Sequence, residues 1–174
     1  MPKRKSATSR RRGEPLSVRI DPKTRYGLEL LSRLQRRSVT GVVEWAIAEA
    51  LRNSTIADSG GRELTVEAAL SGAWSVNELE RLIALWESYA HLLTFDEERL
   101  VAVLVKTPAL WHDANRRGYR QFRWSEVQPA WEALRPIATE AAERATIIGL
   151  TNDELKQAGL SSLVVTFEDD ELPF

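Results

Sequence analysis

The sequence predicts a mainly α-helical protein in which one short β-strand and two helices precede an all-helical domain. Three observations support this fold class. Residues 16–21, LSVRID, alternate apolar and polar side chains, as a half-buried strand does. Elsewhere, apolar residues recur every three or four positions, which is the period of an amphipathic helix. Sequences of the form Ser/Thr-x-x-Glu, which are typical of capped helix starts, occur at Ser75–Glu78, Thr94–Glu97 and Thr151–Glu154.

Composition divides the chain into five segments. Residues 1–14 form a basic arm that is expected to be disordered because it has little apolar surface to bury. Residues 15–54 carry the strand and two helices, and residues 55–62 (TIADSGGR) are small and polar, which predicts a linker. Residues 63–162 are predicted to form a helical partner or interaction domain. A short strand over 163–167 (LVVTF) and an acidic tail complete segment 163–174.

Charge is distributed unevenly between the two halves. Residues 1–53 hold 13 Lys and Arg against 5 Asp and Glu, a net charge of +8, whereas residues 54–174 hold 11 against 20, a net charge of −9. This separation favours one half that faces nucleic acid and another that stays away from the phosphates.

Several protein classes are disfavoured by composition. The sequence has no apolar run long enough to span a membrane, and its basic start is not followed by the apolar segment of a secretory signal. The absence of cysteine excludes disulfides and thiolate metal sites, and it fits a reducing compartment. We therefore expect a cytoplasmic protein, associated with a bacterial nucleoid or plasmid.

The first two helices have recognisable ends. Asp21 and Pro22 are residue types preferred at the N-cap and at the first helical position. The apolar stripe of this helix comprises Leu28, Leu31 and Leu34, with Leu30 at its flank. The second helix is predicted to start at Thr40 as its N-cap and to end at Asn53 and Ser54. Its apolar face comprises Val43, Ala46, Ile47, Ala50 and Leu51.

A single strand with two short helices is too little to fold alone, because the strand has no pairing partner and the helices bury little area. Pairing with the same strand of a second chain removes both problems. The segments PLSVRIDPKTRYGLELLSRL and RRSVTGVVEWAIAEALRN resemble the ribbon-helix-helix family of DNA-binding proteins over residues 15–53. The resemblance implies an obligate homodimer that inserts a two-stranded β-ribbon into the major groove.

The resemblance also assigns roles to individual residues. It implies that Leu16, Val18 and Ile20 lie beneath the ribbon, whereas Ser17 and Arg19 contact bases; Arg19 suits guanine. The backbone amides of Val39, Thr40 and Gly41 are expected to hold a phosphate at the start of the second helix. Gly41 departs from the longer polar residue common there. The arm residues expected to contact phosphates in a salt-sensitive manner are Lys3, Arg4, Lys5, Arg10, Arg11 and Arg12.

Simpler alternatives exist for these residues. Arg19 is alternatively a surface charge on an exposed strand, and the arm a solvated tail. Trp45 lies outside the apolar face of the second helix. We expect it to be covered by the helical domain or by a partner.

The helical domain is predicted to hold three longer helices. The first carries Val76, Leu79, Leu82, Ile83, Trp86, Tyr89, Ala90 and Leu93 on one face. The second carries Leu100, Val101, Val103 and Leu104 and stops before Pro108. The third is expected over 126–146, interrupted or kinked near Pro129 and Pro136.

No catalytic constellation is evident, and neither an enzyme nor a cofactor is predicted. His91 and His112 are the two histidines, too few for a His/Cys metal cage in a chain without cysteine. The stretch WHDANRRGYRQFRW at 111–124 interleaves arginines with aromatic residues. It is compatible with binding single-stranded nucleic acid, or with aromatics packed inward and arginines paired with acids.

The sequence ends EDDELPF, which is similar to the acidic C-terminal tip of bacterial single-stranded-DNA-binding proteins. The similarity implies a docking peptide, formed by Asp169, Asp170, Glu171, Leu172, Pro173 and Phe174, with Phe174 as the anchor and the acids steering the approach. Leu172 replaces the commoner Ile. The alternative is a plain acidic tail.

Together these features predict a dimeric, sequence-specific duplex-DNA-binding protein. The expected use is transcriptional repression or autoregulation, or the marking of a plasmid or phage site. Expected partners are double-stranded DNA, a second copy of the chain and a protein with a pocket for single-stranded-DNA-binding-protein tips. The alternative function is that of an antitoxin, whose C-terminal domain neutralises a toxin.

Overall fold

A computed structural model describes residues 17–113 and 120–164, and these are mainly helical. The chain divides into two compact units, Met1–Ala50 and Leu51–Phe174. The helices are α1 (Pro22–Gln35), α2 (Val39–Asn53), α3 (Val66–Ala73), α4 (Glu78–Tyr89), α5 (Phe95–Val105), α6 (Trp124–Ala142) and α7 (Asn152–Gln157). Two short strands, β1 (Thr55–Ala57) and β2 (Glu63–Thr65), form a small antiparallel sheet, and 3₁₀ turns span Ala90–Leu92, Pro108–Leu110 and Ser161–Leu163.

Residues 55–62 differ from the linker predicted for them, because they form β1 and a tight turn leading to β2. The strands pair with Thr55 opposite Thr65 and Ile56 opposite Leu64. The Asp58 carboxylate accepts hydrogen bonds from the amides of Gly60 and Arg62, both at 2.9 Å. These bonds, led by the one from the Arg62 amide, hold the pKa of Asp58 below its ordinary value.

The same turn is attached to the end of α4. The Ser59 amide donates to the Ser88 carbonyl at 2.8 Å, and its hydroxyl donates to the Glu87 carbonyl at 2.9 Å. A small polar sequence therefore adopts a fixed conformation here, since its side chains satisfy backbone groups that water would otherwise bind.

Two of the three predicted capping boxes are confirmed. The Thr94 and Thr151 side chains accept from the amides of Glu97 and Glu154, whose carboxylates bond back to the cap amides. The predicted box at Ser75 is wrong. Asn77 directly precedes α4 and its side chain accepts from the Glu80 amide at 3.1 Å, so Asn77 is the N-cap.

The core of the second unit lies between α4, α5, α6 and α7. Its fully buried side chains include Leu79, Ile83, Leu104, Leu134 and Leu155. The predicted stripe of α4 is therefore confirmed at Leu79, Leu82, Ile83 and Tyr89, whereas Val76 precedes the helix and is exposed.

The helix predicted over 126–146, interrupted or kinked near Pro129 and Pro136, is α6, and it runs without interruption through both prolines. A proline removes the donor for the carbonyl four residues earlier, at Ser125 and Glu132 here. Both of these residues are exposed, so water can bind the carbonyls that lose their donor.

The strand predicted over 163–167 is not present at its start. Leu163 closes a 3₁₀ turn, and residues 165–167 lie outside the described part.

Within residues 17–113 and 120–164, no helix has both the length and the apolar character needed to cross a bilayer.

Candidate nucleic-acid interface

Residues 17–21, predicted as a strand, form neither helix nor strand in the single chain. A strand needs a second strand to complete its hydrogen bonds, and in the described residues the paired strands are β1 and β2. Ser17, Val18, Arg19 and Ile20 are all exposed, Val18 to 66%. Leu16 lies outside the described residues.

The start of α1 is fixed directly after this segment. The Asp21 carboxylate accepts from the Thr24 amide at 3.0 Å and from the Thr24 hydroxyl at 2.5 Å, and Pro22 is the first helical residue, as predicted. The Thr24 hydroxyl and then its amide lower the pKa of Asp21 from its ordinary value. The cap thus sets where the extended residues end and the helix begins.

The turn between α1 and α2 holds an arginine in the left-handed region. Arg36 has φ 53°, and its amide donates to the Arg33 carbonyl at 3.3 Å. The Arg37 amide donates to the Ser32 carbonyl at 3.0 Å, which closes the end of α1. Arg36 and Arg37 thereby lie, exposed, next to the first turn of α2.

The N-cap of α2 is Ser38, two residues before the predicted Thr40. The Ser38 hydroxyl accepts from the Gly41 amide at 3.1 Å, and its carbonyl accepts from the Val42 amide at 3.0 Å. Of the three amides predicted to hold a phosphate, that of Gly41 is therefore already bonded to a side chain. Val39 and Thr40 lie in the first helical turn, where amides lack an intrahelical acceptor.

The apolar faces that the sequence assigns to a core are largely uncovered in the single chain. No residue of α1 is buried, and Leu34 is 80% exposed. Val43 and Ile47 of α2 are exposed to 38% and 49%, and the one buried residue of α2 is Val42, outside the predicted face. Trp45 is half-buried. Two helices with these faces exposed lack a core of their own.

The electrostatic character of residues 17–53 is basic. The segment holds seven basic residues against four acidic ones, and all seven are exposed: Arg19, Lys23, Arg25, Arg33, Arg36, Arg37 and Arg52. Arg25 pairs with Glu29 at 3.5 Å on the surface of α1. Such a surface attracts a polyanion.

Neither a family model, nor a curated protein, nor a solved structure matches this chain. The arm residues Lys3, Arg4, Lys5, Arg10, Arg11 and Arg12 lie outside the described residues, as do Asp169, Asp170, Glu171, Leu172, Pro173 and Phe174 of the tail.

The aromatic residues of 111–124 that the structure describes pack together. The Trp111 and Phe122 rings meet edge-on with centroids 5.0 Å apart, and Phe122 and Trp124 do the same at 4.8 Å. Arg123 donates to the Trp111 carbonyl at 3.2 Å and pairs with Glu126 at 3.7 Å. The inward-packing alternative holds for these residues; Arg116, Arg117 and Tyr119 lie outside the described part.

The two histidines lie apart from any metal-ligand group in the described residues. His91 and His112 are both exposed. Across residues 17–113 and 120–164, no three His, Asp or Glu side chains are close enough together to hold a metal ion.

Proposed function

We propose that residues 15–53 form half of a ribbon-helix-helix dimer and that the protein binds duplex DNA sequence-specifically to repress transcription. The observation that carries the proposal is the exposed apolar face shared by α1 and α2, which includes Leu31, Leu34, Val43 and Ile47. A second copy would cover these residues and supply the partner strand that residues 17–21 lack in the single chain.

The exposed chemistry of the segment fits the groove of DNA. In a ribbon formed by residues 16–21, Ser17 and Arg19 share one face and Val18 and Ile20 the other, because side chains alternate along a strand. Arg19 then offers two parallel donors to a guanine. The Val39 and Thr40 amides, with Arg36 and Arg37 beside them, suit a backbone phosphate.

The strand pairing is tested with Val18→Pro against Val18→Ala. Val18 is 66% exposed and lies outside the helices and strands of the single chain, so proline interrupts none of these elements. Proline removes a ribbon donor. We expect Val18→Pro to reduce binding of the selected operator to the level of random DNA, whereas Val18→Ala retains binding. Equal binding by both variants contradicts the proposal.

The operator needed for this assay comes from sequencing the DNA fragments that co-purify with the protein. Base recognition is then tested with Arg19→Ala against Arg33→Ala, which removes one exposed charge from α1. Arg19→Ala should weaken operator binding by about 1–3 kcal/mol and relax the preference at one base position. Arg33→Ala should weaken binding slightly and equally for all sequences. An equal, sequence-independent loss from both variants would make Arg19 a surface charge.

A further inference from the structure

A second candidate surface lies entirely within the second compact unit, Leu51–Phe174, which we call the helical unit. The ends of α3, α4, α5 and α6 enclose an open groove of about 870 Å³. Leu82 and Leu100 contribute apolar side chains to it, and Leu70, at its edge, is 47% exposed. Its volume falls within the range of roughly 300–1,000 Å³ that is typical of protein binding sites.

Two exposed aromatic side chains belong to the lining of the groove. Trp74 is 61% exposed and Phe95 is 70% exposed. Arg81 stacks on the Trp74 ring at 5.1 Å from its centroid, and Arg99 stacks on the Phe95 ring at 5.4 Å. Each aromatic ring therefore has one face occupied by a cation while much of its surface remains in contact with solvent.

The two arginines are themselves fixed by backbone carbonyls. Arg81 Nη1 donates to the Ser75 carbonyl at 2.6 Å. Arg99 donates through Nε to the Ala142 carbonyl and through Nη2 to the Arg144 carbonyl, both at 2.6 Å. The aromatic side chains are thus held in place before any partner arrives, which lowers the entropic cost of binding.

The charge of the lining indicates what kind of occupant fits. It contains three arginines, at 81, 99 and 135, and four acids, at 78, 96, 97 and 143, a net charge of −1. Arg135 is also paired with Glu78 at 3.1 Å. A strongly charged partner such as DNA gains no net electrostatic attraction from this surface. A partner surface that is nearly neutral and carries both signs of charge can form favourable charge pairs with it.

We propose that the groove is a second interface between copies of this chain. An isologous contact joins the same patch of two chains, so that patch must complement itself. Here Trp74 and Phe95 are exposed beside a groove lined with leucines, and the arginines and acids of the lining supply both signs of charge. The proposal goes beyond the proposed function, because the groove lies wholly within the second compact unit and the contact needs no ribbon.

The area predicts a weak contact. Trp74, Phe95 and Leu70 expose apolar surface on the order of 300 Å². A stable interface buries about 800 Å² from each partner, so surrounding polar groups must supply the rest and the contact lies at the low end of specific interfaces. We therefore expect a dissociation constant on the order of 10 µM.

The test separates this contact from ribbon pairing by working in full-length Val18→Pro chains. Sedimentation velocity is run from about 1 to about 100 µM, which brackets the expected dissociation constant. We expect the Val18→Pro chain to be mainly dimeric at the highest concentration. Adding Trp74→Glu, or independently Phe95→Glu, should make it monomeric at every concentration.

Ile148→Glu in the same background is the matched control. Ile148 is 50% exposed and does not line the groove, so its replacement should leave the dimer unchanged. Circular dichroism of each variant, compared with that of the Val18→Pro chain, shows whether the added substitution leaves the helical unit folded. A Val18→Pro chain that is monomeric at about 100 µM overturns the proposal and leaves the groove to a foreign protein or a small ligand. Dimers that persist in both aromatic variants overturn it as well.

Failure of the proposed function gives a different pattern. If residues 16–21 form no ribbon, Val18→Pro has the same mass and the same DNA binding as the unaltered chain. Trp74→Glu and Phe95→Glu alone then still convert the unaltered chain from dimer to monomer, and that result supports the groove contact.

Discussion

Replacing Gly149 with alanine should destabilise the helical unit more than any other single added methyl group at its described glycines. A Cβ at position 149 would lie 2.0 Å from the Lys106 carbonyl oxygen, 2.6 Å from its carbon and 3.0 Å from the Thr107 Cα. All three are backbone atoms, so no side chain can rotate away. The two segments must move apart by more than 1 Å to restore ordinary contact distances of about 3.4 Å.

Such a movement breaks a buried hydrogen bond next to the site. The Leu150 amide donates to the Thr107 hydroxyl at 2.8 Å, and that hydroxyl donates to the Val103 carbonyl at 2.7 Å. Leaving the amide unsatisfied costs about 1–3 kcal/mol, and overpacking costs about 1–3 kcal/mol more. We expect the unfolding free energy to fall by about 3–5 kcal/mol in urea titrations, and Tm to fall by roughly 10 °C.

Gly72→Ala is the matched control because it adds the same methyl group where no atom lies within 4 Å of the new Cβ. Gly72 is exposed near the end of α3, so alanine should stabilise the helix by up to about 1 kcal/mol. Opposite signs for the two variants support the packing argument. A Gly149→Ala protein within about 1 kcal/mol of the unaltered chain would refute it.

Three further predictions concern helix ends and pH. Ser38→Ala removes the acceptor of the Gly41 amide and should cost about 1 kcal/mol in thermal unfolding at fixed protein concentration; an unchanged Tm would contradict the assignment of Ser38 as the N-cap. Arg36→Gly removes the strain of a left-handed backbone at a residue with a side chain, so it should stabilise the protein by about 0.5–1 kcal/mol in the same assay. A lower Tm for this variant would contradict the argument from backbone strain. Burial, the largest influence on Glu154, opposes its ionisation, yet the Thr151 amide and hydroxyl and the Arg144 guanidinium outweigh it and lower its pKa. The ionised Glu154 carboxylate therefore stabilises the fold above its ordinary pKa of 4.5, and this contribution is lost as the pH falls below that value. Glu154→Gln should accordingly be less stable than the unaltered chain at pH 7. In urea titrations near pH 3, the unfolding free energies of the two proteins should converge.

The proposed interface has a consequence for how stability should be measured. No residue of α1 is buried in the single chain, so the proposed dimer would stabilise this helix by covering Leu31 and Leu34. Unfolding of residues 17–53 should accordingly shift with protein concentration, since association stabilises the folded state by mass action. The unfolding free energies of Gly149→Ala, Gly72→Ala and the unaltered chain should therefore be measured at the same protein concentration.

Local sequence alone determined the positions of several elements. Asp21 followed by Pro22 fixed the start of α1, and the boxes at Thr94 and Thr151 fixed the starts of α5 and α7. In each case the cap depends on a side chain within three residues of the amide it satisfies, so no distant contact is needed. The three-and-four spacing identified the buried face of α4 for the same reason, because a helix places those positions on one side.

Tertiary structure decided features that local pattern could not. Residues 55–62 look like a linker, yet the contacts of Ser59 with the end of α4, about thirty positions away, hold them in a hairpin. Ser75 and Asn77 are both good caps, and the choice of Asn77 follows from Ser75 being engaged with Glu80 and with the Asn77 amide. The groove around Trp74 and Phe95 could not be predicted, because it exists only where the ends of four helices, separated in sequence, come together.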